Sequence, residues 1–524
     1  MRRRTLLTAA GIGLAGAAVG GLAGCADSPA DQTARLLPST GRLPAPYQVP
    51  LPIPAIKEPV ARRNGVTRYE IIQRTADVEI LPGTRTTIMG YDGSFPGPTI
   101  RARRGERVVV RHRNRLPVPT VVHLHGGNTA AEDDGYPVDL VLPVRDADRF
   151  EHGGGSMGGG HAPMAMNGDV SHGFRDYHYD HDQQAATLWY HDHRMDFTGA
   201  QVWRGLAGFH LINDDVEDGL GLPHDERDIP LMLTDRSFAE DGSLLYPAAD
   251  PQLVDKPGVT EDYASGVLGD VILVNGAPWP ELEVEAARYR FRILNASNAR
   301  RYQLQLDPPP PGGTAFTQVG SDAGLLAAPV KHGDLTIAAA ERYDTIVDFS
   351  GYPVGTRVEL RNALGSGRTA QVMRFTVARQ AADDSTVPAK LAEIEPLNIA
   401  GAVHREWRFA RKRTHGMTMW AINGKFFDPQ RMDADPRLGR TEVWRFATDL
   451  HHPVHVHLSP FQVLSRNGHP PGPTDAGWKD TLDLRPTEYA DVAIRFENHR
   501  GHYLMHCHNL EHEDMGMMSA FKVV

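Results

Sequence analysis

Four histidine pairs of the form His-X-His, at 123/125, 191/193, 455/457 and 506/508, lie in or beside strand-like apolar runs such as ThrValValHisLeuHis at 120–125. On an extended strand, residues two apart share a face while the residue between them points to the other. Each pair is therefore a two-toothed ligand. Eight neutral imidazoles converging on one cavity are too many for a single ion of four to six coordination, so several metal ions are implied. Imidazole alone does not name the metal, because copper, zinc, iron and nickel all accept it.

The rest of the chain supports a β fold. Its 524 residues suffice for about three domains of ordinary size, and 52 Gly with 39 Pro favour many turns between short strands. A weak repeat runs through it: TyrAspGlySerPheProGly (91–97), ValAsnGlyAlaProTrpPro (274–280) and IleAsnGlyLysPhePhe (422–427) each precede a second strand pattern, at 107–114, 289–295 and 441–446. Three copies of one β-unit is the economical reading. Units are expected at 61–215, 226–378 and 395–524. Residues 26–60, rich in Pro and Ala, read as an extended tether without a core. Residues 1–25 read as an export signal, with a twin-arginine-like Arg3-Arg4 and a lipobox-like Leu22-Ala23-Gly24-Cys25. The chain is thus expected outside the cytoplasm, either secreted or anchored by lipid through Cys25, and to act as a monomer. A net charge of −10 removes nucleic acid as a partner, since nothing supplies counterion release.

Cys507 stands between His506 and His508, and Cys25 is the only other cysteine. Strand alternation turns its sulfur away from the face of its two neighbours, towards His512 and a soft thioether. Two histidines, a cysteine and a long axial methionine make the ligand set of a blue-copper electron-transfer centre. His452, three residues before His455 and so of opposite parity, supplies the second histidine. Met517 is the better axial candidate and Met515 the weaker. His506 and His508 would face the other metals while Cys507 faces the mononuclear copper, so adjacent backbone would join the two sites.

The four motifs resemble those of the multicopper oxidases over residues 65–524. HisLeuHisGlyGly, TrpTyrHisAspHisArgMetAsp and HisCysHisAsnLeuGluHisGluAsp look closest to the spore-coat laccase, bilirubin oxidase and phenoxazinone synthase group. The resemblance implies an all-β chain of three cupredoxin-like Greek-key β-barrel domains that holds four copper ions, one type 1, one type 2 and two type 3. By position, His123 and His455 would bind the type 2 copper and His125, His191, His193, His457, His506 and His508 the type 3 pair. His452, Cys507, His512 and Met517 would bind the type 1 copper. Dioxygen is then the electron acceptor and a small molecule or metal ion the reductant. Reducing dioxygen to water consumes protons, and Asp134 and Glu513 match acids to which the family assigns their delivery.

Residues 151–181 are rich in Gly, Met and His and look like an insertion, either a mobile surface loop or a soft-metal loop serving a cuprous-ion oxidase. His451 reads as a neighbour tuning the site, and His112 and His210 as surface or structural residues. A laccase-like oxidase of phenols, aromatic amines or tetrapyrroles is the main reading, with cuprous or ferrous ion oxidation in copper tolerance as the alternative. A cupredoxin-fold protein that has lost its metals is disfavoured, because every ligand is present.

Overall fold

In a computed structural model, residues 34–145, 147, 150, 168–414 and 417–524 are described. The export signal, Cys25 and residues 151–167 lie outside them. Strands dominate, arranged as three pairs of facing sheets in chain order. Each pair encloses an aromatic core: Tyr91, Tyr177 and Tyr190 in the first, Phe291, Phe349 and Phe375 in the second, Trp444, Phe446 and Phe521 in the third.

The repeat seen in the sequence has a structural meaning. Its three Asp-Gly or Asn-Gly steps are tight turns with both residues in the left-handed region: Asp92 and Gly93 (φ 54° and 73°), Asn275 and Gly276 (50° and 82°), Asn423 and Gly424 (52° and 70°). Antiparallel pairings flank them, Tyr91 with Ser94, Val274 with Ala277 and Ile422 with Lys425, as a hairpin turn with two positive φ angles requires. The second strand of each repeat pairs in parallel with the first long strand of its unit. Arg107–Asn114 lies beside Val66–Val78, Arg288–Asn295 beside Asp228–Phe238, and Thr441–Thr448 beside Val403–Thr414.

Two expectations need correction. The Pro-rich stretch is not coreless over its described part: Tyr47 and Leu51 are buried in the second unit's core, with Tyr47 N donating to Trp279 O and Leu51 N to Glu281 O, both at 2.8 Å. Arg35–Leu37 runs parallel to Val267–Gly269. Proline removes donors only at its own position, so the residues between prolines still dock on strand edges. The segment 151–181 is also not wholly a loop, since Phe174–Tyr179 pairs antiparallel with Arg107–Asn114 and buries Tyr177 and Tyr179. His181 bonds the His210 ring (2.8 Å) and Glu106 O (2.8 Å), which gives it a structural place. His210 is fully buried there, and His112 packs edge-on to Tyr91 and Tyr177. Among the described residues no helix is long and apolar enough to cross a membrane.

Candidate metal centre

Two strand pairs bring the histidines together. Val122–His125 pairs antiparallel with Ala186–Asp192, setting His123 opposite His191. His452–Val456 pairs antiparallel with Gly501–Cys507, setting His455 opposite His506 and Val454 opposite Cys507. Cross-strand partners share a face, so His455 and His506 look out towards the first unit. Val454 and Cys507 look into the third unit's core, and His452, two residues before Val454, joins them. His512 arrives from the short helix Leu510–Asp514, whose preceding residue Asn509 accepts from His512 N.

On the inner face, His452 Nδ1, His512 Nδ1 and Cys507 Sγ form a triangle with sides of 3.1, 3.3 and 3.5 Å. A point equidistant from the three lies about 1.9 Å from each, close to an ordinary metal–nitrogen bond length. The outer ring nitrogens fix the tautomers: His452 Nε2 donates to Asp449 Oδ1 (3.0 Å) and His512 Nε2 to Ser265 O (3.2 Å). Both Nδ1 atoms therefore present bare lone pairs to each other, an arrangement that a cation between them relieves. Burial pushes the Cys507 thiol well above its ordinary value, so a thiolate there also requires a metal ion. Met517 is fully buried in the core that holds Cys507, and its carbonyl accepts from Cys507 N at 3.1 Å. Met515 is only partly buried, packing against the rim of that core and also against Gly258 and the Trp203–Val259–Val267 cluster. The Trp420 ring stacks on His512 with centroids 3.7 Å apart, its Nε1 donating to Ala264 O (2.8 Å).

On the outer face, eight buried imidazoles surround a second centre. His125, His191 and His508 form one group of converging ring nitrogens, His193, His457 and His506 another, and His123, His125 and His455 a third. Their outward nitrogens are held by His123 Nδ1 to Asp134 O (2.5 Å), His191 Nδ1 to Asp192 O (2.8 Å), His455 Nδ1 to Asp480 O (2.9 Å) and His457 Nδ1 to Asp134 Oδ2 (2.7 Å). The inward Nε2 atoms of His123, His191, His455 and His457, with His125 Nδ1 and both nitrogens of His508, are buried without a protein partner. Burial lowers the pKa of His123, His125, His191, His455, His457 and His508, and takes His193 to about 4. Neutral rings with orphaned lone pairs in an enclosed cavity fit metal ions, since buried polar atoms otherwise find partners.

Both sequence-chosen acids are here. Glu513 lies against two rings of the cluster, Oε2 3.0 Å from His506 Nδ1 and Oε1 3.5 Å from His193 Nδ1. Burial opposes its ionisation, yet these rings prevail and bring it to about 2. Asp134 sits beneath His123 and His457, and burial holds its carboxyl well above the usual range. His451 is a neighbour rather than part of either cluster, its Nε2 2.7 Å from Asp483 Oδ1.

Several supporting residues escaped the sequence reading: Asp449, Ser265, Trp420, Asp480 and Arg342. Asp449 lies only three residues before His452, while the others act on histidines from distant parts of the chain, where spacing does not reveal them. The one available signal was the charged pair Lys479-Asp480 inside an otherwise strand-like TrpLysAspThrLeu run.

A family profile described as multicopper oxidase matches residues 402–524, and a second of the same description matches 73–150 and 159–217. A laccase of Bacillus stratosphericus is 38% identical, over 90% of this chain and 98% of its own. A bilirubin oxidase of Albifimbria verrucaria is 36% identical, over 91% of this chain and 81% of its own. Among solved structures, a laccase from Pediococcus acidilactici superposes with a TM-score of 0.78 at 31% identity, covering 93% of this chain and 96% of that one.

Proposed function

Because this chain belongs to the multicopper oxidase family, a group of copper-dependent oxidoreductases that use dioxygen and a reductant, we propose the division of labour among its residues. His452, Cys507, His512 and Met517 would hold a type 1 copper. His123 and His455 would hold a type 2 copper, while His125, His191 and His508 would hold one ion of the type 3 pair and His193, His457 and His506 the other. The four ions, when bound, supply one-electron oxidation of the reductant and four-electron reduction of dioxygen to water.

The chain's own residues do the rest. Cys507 projects into the third unit's core while His506 and His508, its chain neighbours, project into the cluster, so two short covalent paths join the sites. This back-to-back arrangement is the observation that carries the reading. Asp134, whose carboxyl burial pushes well above the usual range, lies beneath His123 and His457, where it can carry a proton. Glu513, within reach of His193 and His506, is placed to relay protons to the cluster. Enclosure of all eight rings excludes bulk water from the cluster.

The reductant we favour is a phenol, aromatic amine or tetrapyrrole. Among the described residues the His512 ring meets Ser265 O, the Asn509 amide and the face of Trp420, and none of these is a carboxylate that would hold a metal ion beside it. Relatives named laccase and bilirubin oxidase support the same choice. Cuprous or ferrous ion oxidation rested on the Met- and His-rich stretch of 151–181, which lies almost entirely outside the described residues. Oxygen uptake by copper-loaded protein, compared across a phenol, a phenylenediamine, bilirubin, Cu(I) and Fe(II), tests the assignment. Faster turnover of the organic donors is expected, and turnover confined to the metal ions overturns it.

Export and lipid anchorage through Cys25 are proposed on residues 1–25 alone. Metabolic labelling with a radioactive fatty acid should mark the wild-type protein and not Cys25→Ala. Label on neither refutes the anchor.

A further inference from the structure

The second unit contributes no histidine to either centre, yet one of its arginines reaches the cluster. Arg342 is fully buried, and all five of its N–H groups are engaged. Nε donates to Thr187 O (2.9 Å), on the strand that carries His191. Nη1 donates to Ala340 O (3.0 Å) and Asp480 Oδ1 (2.7 Å), and Nη2 to Asp322 O (2.8 Å) and Asp480 Oδ2 (2.5 Å). The guanidinium thus ties the first unit's strand, the second unit's backbone and the third unit's Asp480 into one fixture.

Asp480 spends its remaining capacity on two histidines from different units. Its Oδ1 lies 3.2 Å from His125 Nε2, and its carbonyl accepts from His455 Nδ1 at 2.9 Å. Thr481 Oγ1 stands between the same rings, 3.2 Å from His125 Nε2 and 3.3 Å from His455 Nδ1, and donates to Asp480 Oδ1 at 2.9 Å. The two imidazoles stack with centroids 3.6 Å apart. From below, Asp322 Oδ2 accepts from the Asp480 and Thr481 amides (3.2 Å each) and pairs with Lys479 Nζ (3.1 Å). Gly126, next to His125 and at φ +84°, has no room for a side chain: a Cβ would stand 2.6 Å from Arg342 Nη2 and 2.9 Å from Asp480 Oδ2.

We propose that Arg342 and Asp480 are positioning residues that choose which nitrogen of His125 and His455 faces the metal cluster, making the second unit the anchor for ligands donated by the first and third. Because its Nε2 is engaged by Asp480, His125 turns Nδ1 inward. His455, engaged at Nδ1, turns Nε2 inward. Planar, bidentate guanidinium–carboxylate geometry holds Asp480 at one angle, which lysine cannot reproduce. This rests on the copper assignment given above.

The experiment uses the full copper-loaded chain with Asp480→Asn, Arg342→Lys and Thr481→Val. Each variant should keep the intense blue absorption and narrow EPR hyperfine splitting of the type 1 copper. The type 2 EPR splitting should shift and the near-ultraviolet absorption of the coupled pair should fall. Cluster copper should be withdrawn by a chelator at a concentration about 10- to 100-fold lower than for wild type. A merely structural ion pair would lower thermal stability and leave both spectra and chelator resistance unchanged, and that result overturns the proposal. Should the buried-charge variants fail to fold, Thr481→Val, which alters no charge, carries the same readouts. Wild-type protein lacking both copper spectra would instead sink the function assigned above.

Discussion

Trp420 offers a test of how the mononuclear site is built. Its ring is fully buried, stacks on His512 at 3.7 Å, stands edge-on to His452 at 5.6 Å and donates Nε1 to Ala264 O. Trp420→Ala should cost about 3–5 kcal/mol through the cavity it leaves. The lost stack accounts for about 0.5–1.5 kcal/mol, and the orphaned Ala264 carbonyl for about 1 kcal/mol or more. Trp420→Phe keeps the stack and loses the hydrogen bond, so it should cost about 1–2 kcal/mol. The two variants therefore separate ring contact from anchorage. The assay is denaturant unfolding of the copper-loaded protein, followed in parallel by the blue absorption and by far-ultraviolet circular dichroism. Trp420→Ala should lose its blue colour at lower denaturant than its β signal, because the loss is confined to one wall of the His452–Cys507–His512 triangle. Trp420→Phe should keep the two transitions close. Wild-type midpoints and colour in Trp420→Ala would refute the assignment of this ring as a wall of the site.

Two further predictions concern buried acids. Burial raises Glu511 from 4.5 to about 7, so the folded chain keeps a proton that the unfolded chain releases. The associated stability is full below about pH 4.5 and is lost as pH rises towards 7, at about 1.4 kcal/mol per pH unit. Glu511→Gln should flatten the stability profile of the copper-free protein over that window, and an unaltered slope would contradict the burial argument. Glu513→Gln should slow dioxygen reduction by about 10²–10⁴-fold while leaving anaerobic bleaching of the blue colour by a reductant unaffected. Slowed bleaching would place Glu513 on the electron side instead.

Much of the site was legible because strand parity is a local rule. Knowing only that residues alternate, His506 and His508 separate from Cys507, and His452 separates from His455 and His457; the structure places each on the expected side. The Asp-Gly and Asn-Gly steps marked the three units for an equally local reason, since those residues accept positive φ. Composition misled where it masked alternation. Prolines at 44–54 hid the donors of Tyr47 and Leu51, and glycines and histidines before Phe174 hid a strand of period two. Arg342, Asp480 and Ser265 stayed invisible because their roles are set by packing between units hundreds of residues apart, and Trp420 because its stack on His512 joins distant strands of one unit. No spacing in the chain encodes that Ser265 O will meet His512 Nε2.

Copper content measured beside protein concentration is the most direct check. Fully loaded wild type should hold about four ions per chain, and Cys507→Ser about three with its blue colour gone. A wild-type ratio well below four, or a Cys507→Ser protein that keeps all its copper and its colour, would contradict the placement of one sulfur-bound ion beside a three-ion cluster.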